Sequence, residues 1–232
     1  MNKIKALAII CARKNSKGIK NKNLSKIGEK SLIQICIEQA LRCVEDVVVS
    51  SDSTEVLDIA RTYDSVVIID RPSDLAQDTT PKLPVLQHAL EQVSTQYDII
   101  FDLQPTSPLR TDESIFNSFN LFDENKNAEN LISVSKTSSH PSYNLVALND
   151  AGRVKLLDEP LEPVTGRNFL PETLLINGVI YIWRKNVLMN KSDNKIVGNH
   201  TISYETGVIE SIDIDTYEDL QLAEAIINTQ SR

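Results

Sequence analysis

The run Ile4–Cys11 constrains this chain most: it is almost continuously apolar and is followed at once by a cationic segment. A strand with hydrophobic side chains on both faces is stable only where both faces are covered, as inside a parallel α/β sheet. Asp46–Ser50, Val66–Ile69, Ile99–Leu103 and Leu131–Ser135 read as further strands, and Leu32–Arg42, Thr54–Thr62, Leu83–Val93 and Asp112–Phe122 as the helices between them. Ser31 with Gln34 three residues on predicts a capping box for the first helix, and Asp52 or Ser53 predicts a cap for the second. This βαβα order implies a parallel sheet, helices on both of its faces and right-handed crossovers.

The rhythm breaks after about His140. Tyr143–Leu148 and Val154–Leu157 flank an Asn149–Gly152 turn and predict a hairpin. Asp158–Glu172 is rich in proline and charge and too long for a simple connector, so it is expected to be functional or to form a subunit contact. The strand pattern resumes at Gly178–Trp183 and again at Ser211–Ile214, and a helix from Thr216 to Ile227 closes the chain.

Composition removes several function classes. The 232 residues suit one large domain. A net charge of -8 and only 5% aromatic residues argue against a nucleic-acid partner. No apolar segment approaches the roughly 20 residues that span a bilayer, and the N-terminus reads as a first strand, not a signal peptide. Cys11, Cys36 and Cys43 show no paired spacing and fit buried thiols in a reducing, cytoplasmic setting. His88, His140 and His200 are scattered, so a zinc site is not expected.

Three constellations can carry chemistry. Arg13, Lys14, Lys17, Lys20 and Lys22 crowd the loop after the first strand, with Gly18 among them. Cations in that place in an acidic chain point to a polyanion, because open α/β sheets bind nucleotides at the carboxyl ends of their strands. The loop is neither GxxxxGK[ST] nor GxGxxG, which excludes a Walker-type or dinucleotide site. Leu103–Arg110 (LQPTSPLR) offers Gln104, Thr106, Ser107 and Arg110 on a proline-stiffened turn. Asp213 and Asp215, two residues apart, share a face if the segment is extended, and suit a hard divalent cation. Asp215 could equally cap the last helix, with Asp219 as a dipole-compensating charge. Arg71, Asp78, Thr79 and Thr80 could read a nucleobase, while Lys136 and Arg167 could meet an acidic substrate. Because these sites follow strands of one sheet, they are expected to converge on one edge.

In order and spacing the chain resembles the N-acylneuraminate cytidylyltransferases, or CMP-sialic acid synthetases. The resemblance rests on AR-x-NSKG-x-x-x-KN (Ala12–Asn23), RP-x-x-LA-x-D (Arg71–Asp78), LQPTSPLR, R-x-x-x-P (Arg167–Pro171), NG-x-IYI (Asn177–Ile182) and DIDT-x-x-DL (Asp213–Leu220). It implies a Rossmann-like three-layer sandwich of nucleotidyltransferase type and a reaction coupling CTP to a nine-carbon 2-keto acid sugar with loss of pyrophosphate. It also implies Mg²⁺ or Mn²⁺, and a homodimer in which an excursion over residues 137–172 reaches the neighbouring active site. By the same resemblance Arg13, Ser16, Lys17, Lys22 and Asn23 would hold the triphosphate, and Arg71, Asp78 and Thr80 the cytidine. Gln104 with Lys136 would contact the sugar, and Asp213 and Asp215 the metal; the donors Thr106, Ser107 and Arg110 of the turn, and Arg167, are the further sugar-binding candidates. Arg13, Lys17, Lys22 and Asp215 would carry catalysis. Asn168 and Thr79–Lys82 depart from the family pattern near the expected substrates, which leaves sialic, legionaminic and pseudaminic acids open as the sugar. Kdo, an eight-carbon acid, and a non-catalytic nucleotide-binding protein are the alternatives.

Overall fold

A computed structural model of the chain describes residues 3–14, 18–94, 97–162 and 164–230. Strand β1 (Ile4–Cys11) leads through the cationic loop to a two-stranded ribbon, β2 (Lys26–Ile27) and β3 (Lys30–Ser31). There follow α1 (Leu32–Cys43), β4 (Val44–Ser51), α2 (Thr54–Ala60), β5 (Val66–Asp70), α3 (Lys82–Glu91), β6 (Ile99–Leu103), α4 (Asp112–Glu124) and β7 (Asn130–Lys136). A small hairpin, β8 (Val146–Leu148) and β9 (Val154–Leu156), precedes β10 (Leu174–Arg184), α5 (Lys185–Asn190), β11 (Thr201–Glu205) and α6 (Tyr217–Gln230).

The main sheet has the order β11-β7-β10-β6-β1-β4-β5. Its pairings are parallel except the two made by β10, which runs antiparallel to β6 and β7. The sandwich expected from the alternating pattern is therefore present, with one reversal. β7 ends at the same sheet edge at which β10 begins, and the intervening excursion contains no crossover helix. A chain that leaves and re-enters a sheet at one edge must run back antiparallel.

Strand β1 serves both faces. Ala6, Ala8 and Ile10 join one core, with α1, α2 and α4, while Leu7 and Ile9 join the other, with α3 and α5. A third cluster brings Ile19, Ile27, Leu32, Leu109, Ile214 and Ala223 together under α6. Ser31 and Gln34 form the predicted reciprocal capping box, and Ser53, not Asp52, caps α2.

The expected strand Ser211–Ile214 is absent from the sheet, whose last strand is β11. The Ser211 and Ile212 amides close turns onto the Gly207 and Ile209 carbonyls, and the Ile214 amide donates to the Thr106 carbonyl at 2.8 Å instead of to a strand partner. Alternation of side chains survives without a ladder: Ile214 is buried, and Asp213 and Asp215 on either side of it are exposed.

Candidate active site

A cavity of about 450 Å³ opens at the carboxyl ends of β1, β5 and β6. It gathers Arg13, Gly18, Lys22 and Asn23 from the first loop, Arg71, Asp78 and Thr80 from the segment after β5, and Gln104 and Thr106 from the LQPTSPLR turn. Asp213 and Asp215 close it from the far end of the chain. Convergence at this edge follows from parallel strands, whose carboxyl ends all open on the same side.

The first loop and the final approach to α6 are in direct contact. Lys22 Nζ lies 2.7 Å from Asp215 Oδ1. A Cβ placed on Gly18 would lie inside the van der Waals sphere of the Asp215 carbonyl oxygen, so only glycine lets the two backbones come this close. Asn23 is buried and its side-chain amide donates to the Arg13 carbonyl at 3.0 Å, fixing the loop behind the guanidinium. The Arg13 guanidinium forms an ion pair with Asp78. Ser16 and Lys17 lie outside the described residues.

Thr216, not Asp215, caps α6. Its hydroxyl accepts from the Asp219 amide at 3.2 Å, while the Asp219 carboxylate accepts from the Asp215 and Thr216 amides. This leaves the Asp215 side chain to the cavity. Although Asp213 is exposed as a residue, the cavity walls strip water from its carboxyl and raise its pKa above the ordinary value, and the Asp215 charge adds to that, against a hydrogen bond from Thr106 and the Lys22 ammonium. Two carboxylates on one face fit a hard cation such as Mg²⁺, which keeps several waters and takes further oxygens from substrate phosphates. Among the described residues no group of three or more His, Cys, Asp or Glu could hold a metal without such help.

On the nucleoside side, Arg71 is buried and donates to the Ser50 side chain at 3.1 Å and to the Ser50 carbonyl at 2.6 Å. The Thr80 hydroxyl donates to the Asp74 carbonyl at 3.1 Å, tying down the loop that carries Asp78. Gln104 sits against Gly178, whose φ of +73° and lack of a side chain make room for it.

Four residues expected at the sugar do not line this cavity. Arg110 is 3% exposed. Its guanidinium donates to the Val179 and Gln104 carbonyls at 2.7 and 3.3 Å and to Gln39 Oε1 at 2.9 Å, so it braces the turn from inside. Ser107 is fully buried beneath the same turn. Lys136 and Arg167 line a separate cavity of about 230 Å³ formed by the excursion. There Lys136 faces Glu172 and Glu205 at 3.7 and 3.9 Å, and Arg167 donates to the Ser138 carbonyl at 2.9 Å. The sequence pattern marked these four as polar residues after strands, and the turn's own need for internal donors took up Arg110.

Two sets of contacts are not legible in the sequence, although the NG-x-IYI motif marks Asn177. Asn177 accepts from Ser133 Oγ at 2.7 Å and donates to Thr206 Oγ1 and Ser211 Oγ at 2.7 and 3.0 Å, binding the segment before Asp213 to the sheet. Lys82, which lines the cavity, forms an ion pair with the buried Asp102. The one available signal for the latter was an aspartate inside the otherwise apolar strand Ile99–Leu103.

The fold and this cavity define an α/β protein of the nucleotidyltransferase type. Residues 7–230 match the family model described as cytidylyltransferase, and the chain belongs to that family. A Campylobacter jejuni protein named CMP-N,N'-diacetyllegionaminic acid synthase is 32% identical over 97% of this chain and 96% of its own length. An Escherichia coli N-acylneuraminate cytidylyltransferase is 31% identical over 98% of this chain and 53% of its own length. Among solved structures, a CMP:2-keto-3-deoxy-manno-octonic acid synthetase complexed with CTP superposes with a TM-score of 0.71 at 20% identity, covering 98% of this chain and 100% of that one. At that identity the likeness concerns the fold.

Proposed function

We propose that this chain couples CTP to a nine-carbon 2-keto acid sugar, releasing pyrophosphate and forming the CMP-sugar. The anomeric C2 oxygen attacks the α-phosphorus in line, the new O–P bond forms, and the bond from the α-phosphorus to the bridging oxygen of pyrophosphate breaks. The observation that carries this reading is one cavity in which Lys22 meets Asp215 across 193 residues of sequence, with Arg13 also in its lining.

Arg13, Lys17 and Lys22 stabilise negative charge that grows on the departing pyrophosphate, the dominant form of help in this class of transfer. Arg71, Asp78 and Thr80 form the nucleoside wall, and Gln104 with Thr106 the start of the sugar wall. Asp213 and Asp215 would hold Mg²⁺ or Mn²⁺. When bound, that ion supplies charge neutralisation on the phosphates and lowers the pKa of a nearby hydroxyl.

A homodimer accounts for the excursion. Leu148, Val154, Leu161 and Phe169 stand exposed on it, next to the exposed Leu174 and Leu175 at the start of β10. An apolar surface of that kind seeks a partner, and a second copy would bring Lys136 and Arg167 to a neighbouring cavity. Relatives named for legionaminic and for sialic acid support a nonulosonic acid as the sugar class.

The test is pyrophosphate release from CTP with sialic, legionaminic, pseudaminic and Kdo acids in parallel. Release that requires a nine-carbon acid is expected. Release with Kdo alone would move the reading to an eight-carbon acid, and no release with any sugar would make this a nucleotide-binding protein.

A further inference from the structure

Lys82 opens α3 directly after Pro81, and its ammonium comes to rest 2.5 Å from Asp102 Oδ2 and 4.4 Å from the centre of the Tyr181 ring. Asp102 is 1% exposed, at the end of β6, and Tyr181 is its register partner on β10. Beyond this contact, no other hydrogen-bond partner reaches the ammonium or the carboxylate among the described residues. A buried ion pair is favourable only when its remaining donors and acceptors are satisfied. Here nothing further satisfies them, and of the two residues Lys82 lines the active-site cavity while Asp102 is buried behind it.

The other described cations of the cavity already have acceptors on its walls: Arg13 has Asp78, Lys22 has Asp215, and Arg71 has Ser50. The neighbouring Cys11 thiol offers no competing charge, because burial pushes its pKa up to about 11. Lys82 lines the same cavity, but its ammonium is buried against Asp102 with its remaining donors unused, so it must swing outward to reach the space where two anionic substrates meet. The candidates first expected to meet the sugar's carboxylate, Lys136 and Arg167, line the other cavity.

We propose that Lys82 receives an anionic oxygen of a bound substrate, either the carboxylate of the acidic sugar or the α-phosphate of the nucleotide, and that Asp102 is the internal counter-ion that holds it until then. The proposal rests on the cytidylyltransferase reading of the cavity. It makes Lys82 a substrate-binding residue and Asp102 a positioning residue.

The experiment compares the full-length protein with the K82M/D102N double variant, which removes both charges together and strands neither. Two affinity ratios are read by calorimetry: CMP over cytidine, and sialic and N,N'-diacetyllegionaminic acids over their carboxamides with CMP present. Loss of about tenfold or more in the nucleotide ratio assigns the α-phosphate, and the same loss in the sugar ratio assigns the carboxylate. Both ratios unchanged within about twofold would overturn the proposal, as would a wild type that favours neither charged form.

If the double variant does not fold, a crystal structure of the wild type with CMP and the sugar acid decides instead. Lys82 Nζ within about 3.2 Å of a substrate oxygen supports the proposal, and Nζ still confined to Asp102 defeats it. Failure of the broader reading looks different: no pyrophosphate release with any sugar, while the CMP ratio still depends on Lys82.

Discussion

Lys22 Nζ and Asp215 Oδ1 are 2.7 Å apart, although one residue follows the first strand and the other precedes the last helix. The contact joins the cationic loop to the carboxylate pair and thereby closes the cavity. It also sets a cation beside a candidate metal ligand at one point of the cavity wall.

Lys22→Met is expected to reduce kcat/KM by about 10²–10³, the loss typical of removing one charge-stabilising group. Asp215→Asn is expected to fall in the same range. Because the two residues touch, the double variant should lose clearly less than the product of the single losses. Steady-state kinetics of the three proteins tests this, and strictly multiplicative losses would show that the pair does not act as a unit.

Gly18→Ala forces the first loop away from the Asp215 carbonyl. The loop is at the surface, so Tm is expected to stay within about 3 °C of the wild type. CTP affinity is expected to drop by about tenfold, since misplacement of a positioning loop is costly even at ångström scale. Calorimetric titration with CTP beside a thermal scan separates the two effects.

Arg110→Met is expected to act on stability, because the guanidinium is engaged inside the turn. It leaves the Val179 and Gln104 carbonyls and the Gln39 side chain without their buried donor. Each unsatisfied group costs about 1–3 kcal/mol, so a total near 3 kcal/mol and a Tm roughly 6–12 °C lower are expected. The KM for the sugar should be unchanged in whatever protein remains folded. A selective rise in that KM at unchanged Tm would contradict the interior role.

Glu210 accepts from the Thr111 amide and hydroxyl at 2.9 and 2.6 Å, from Ser114 Oγ at 2.6 Å and from the Gly207 amide at 3.1 Å. Burial works to raise its pKa, but these bonds outweigh it and hold the carboxyl below its ordinary value of 4.5. A carboxyl lowered on folding contributes stability above its unfolded pKa and loses it as pH falls through the folded pKa. Glu210→Gln is therefore expected to cost about 1–2 kcal/mol near neutral pH. The difference from the wild type should shrink as pH drops below about 4. Denaturant unfolding at a series of pH values checks the sign.

Phe169→Glu puts a charge on the exposed apolar face of the excursion. If that face pairs two copies, sedimentation should show dimer for the wild type and monomer for the variant. Pyrophosphate release should fall with dimerisation, because Lys136 and Arg167 lie outside the main cavity of their own chain.

Much of this architecture is written in local sequence. The two-faced apolar run of β1 demanded a covered parallel sheet, and the reciprocal bonds of Ser31 and Gln34 began α1 where the residue types said it would. The cations of the first loop and the Asp213–Asp215 pair were likewise legible, because charge and spacing alone mark them. What needed three dimensions was direction and depth. No local pattern reveals that β10 returns antiparallel, since a strand buried on both faces reads the same either way. Nor could sequence tell that Arg110 turns inward while Lys82 lines the cavity, because a cation's place depends on which acceptors the folded chain brings to it. The residue types were set by the sequence; their partners, and hence their chemistry, were set by packing between segments up to 193 positions apart.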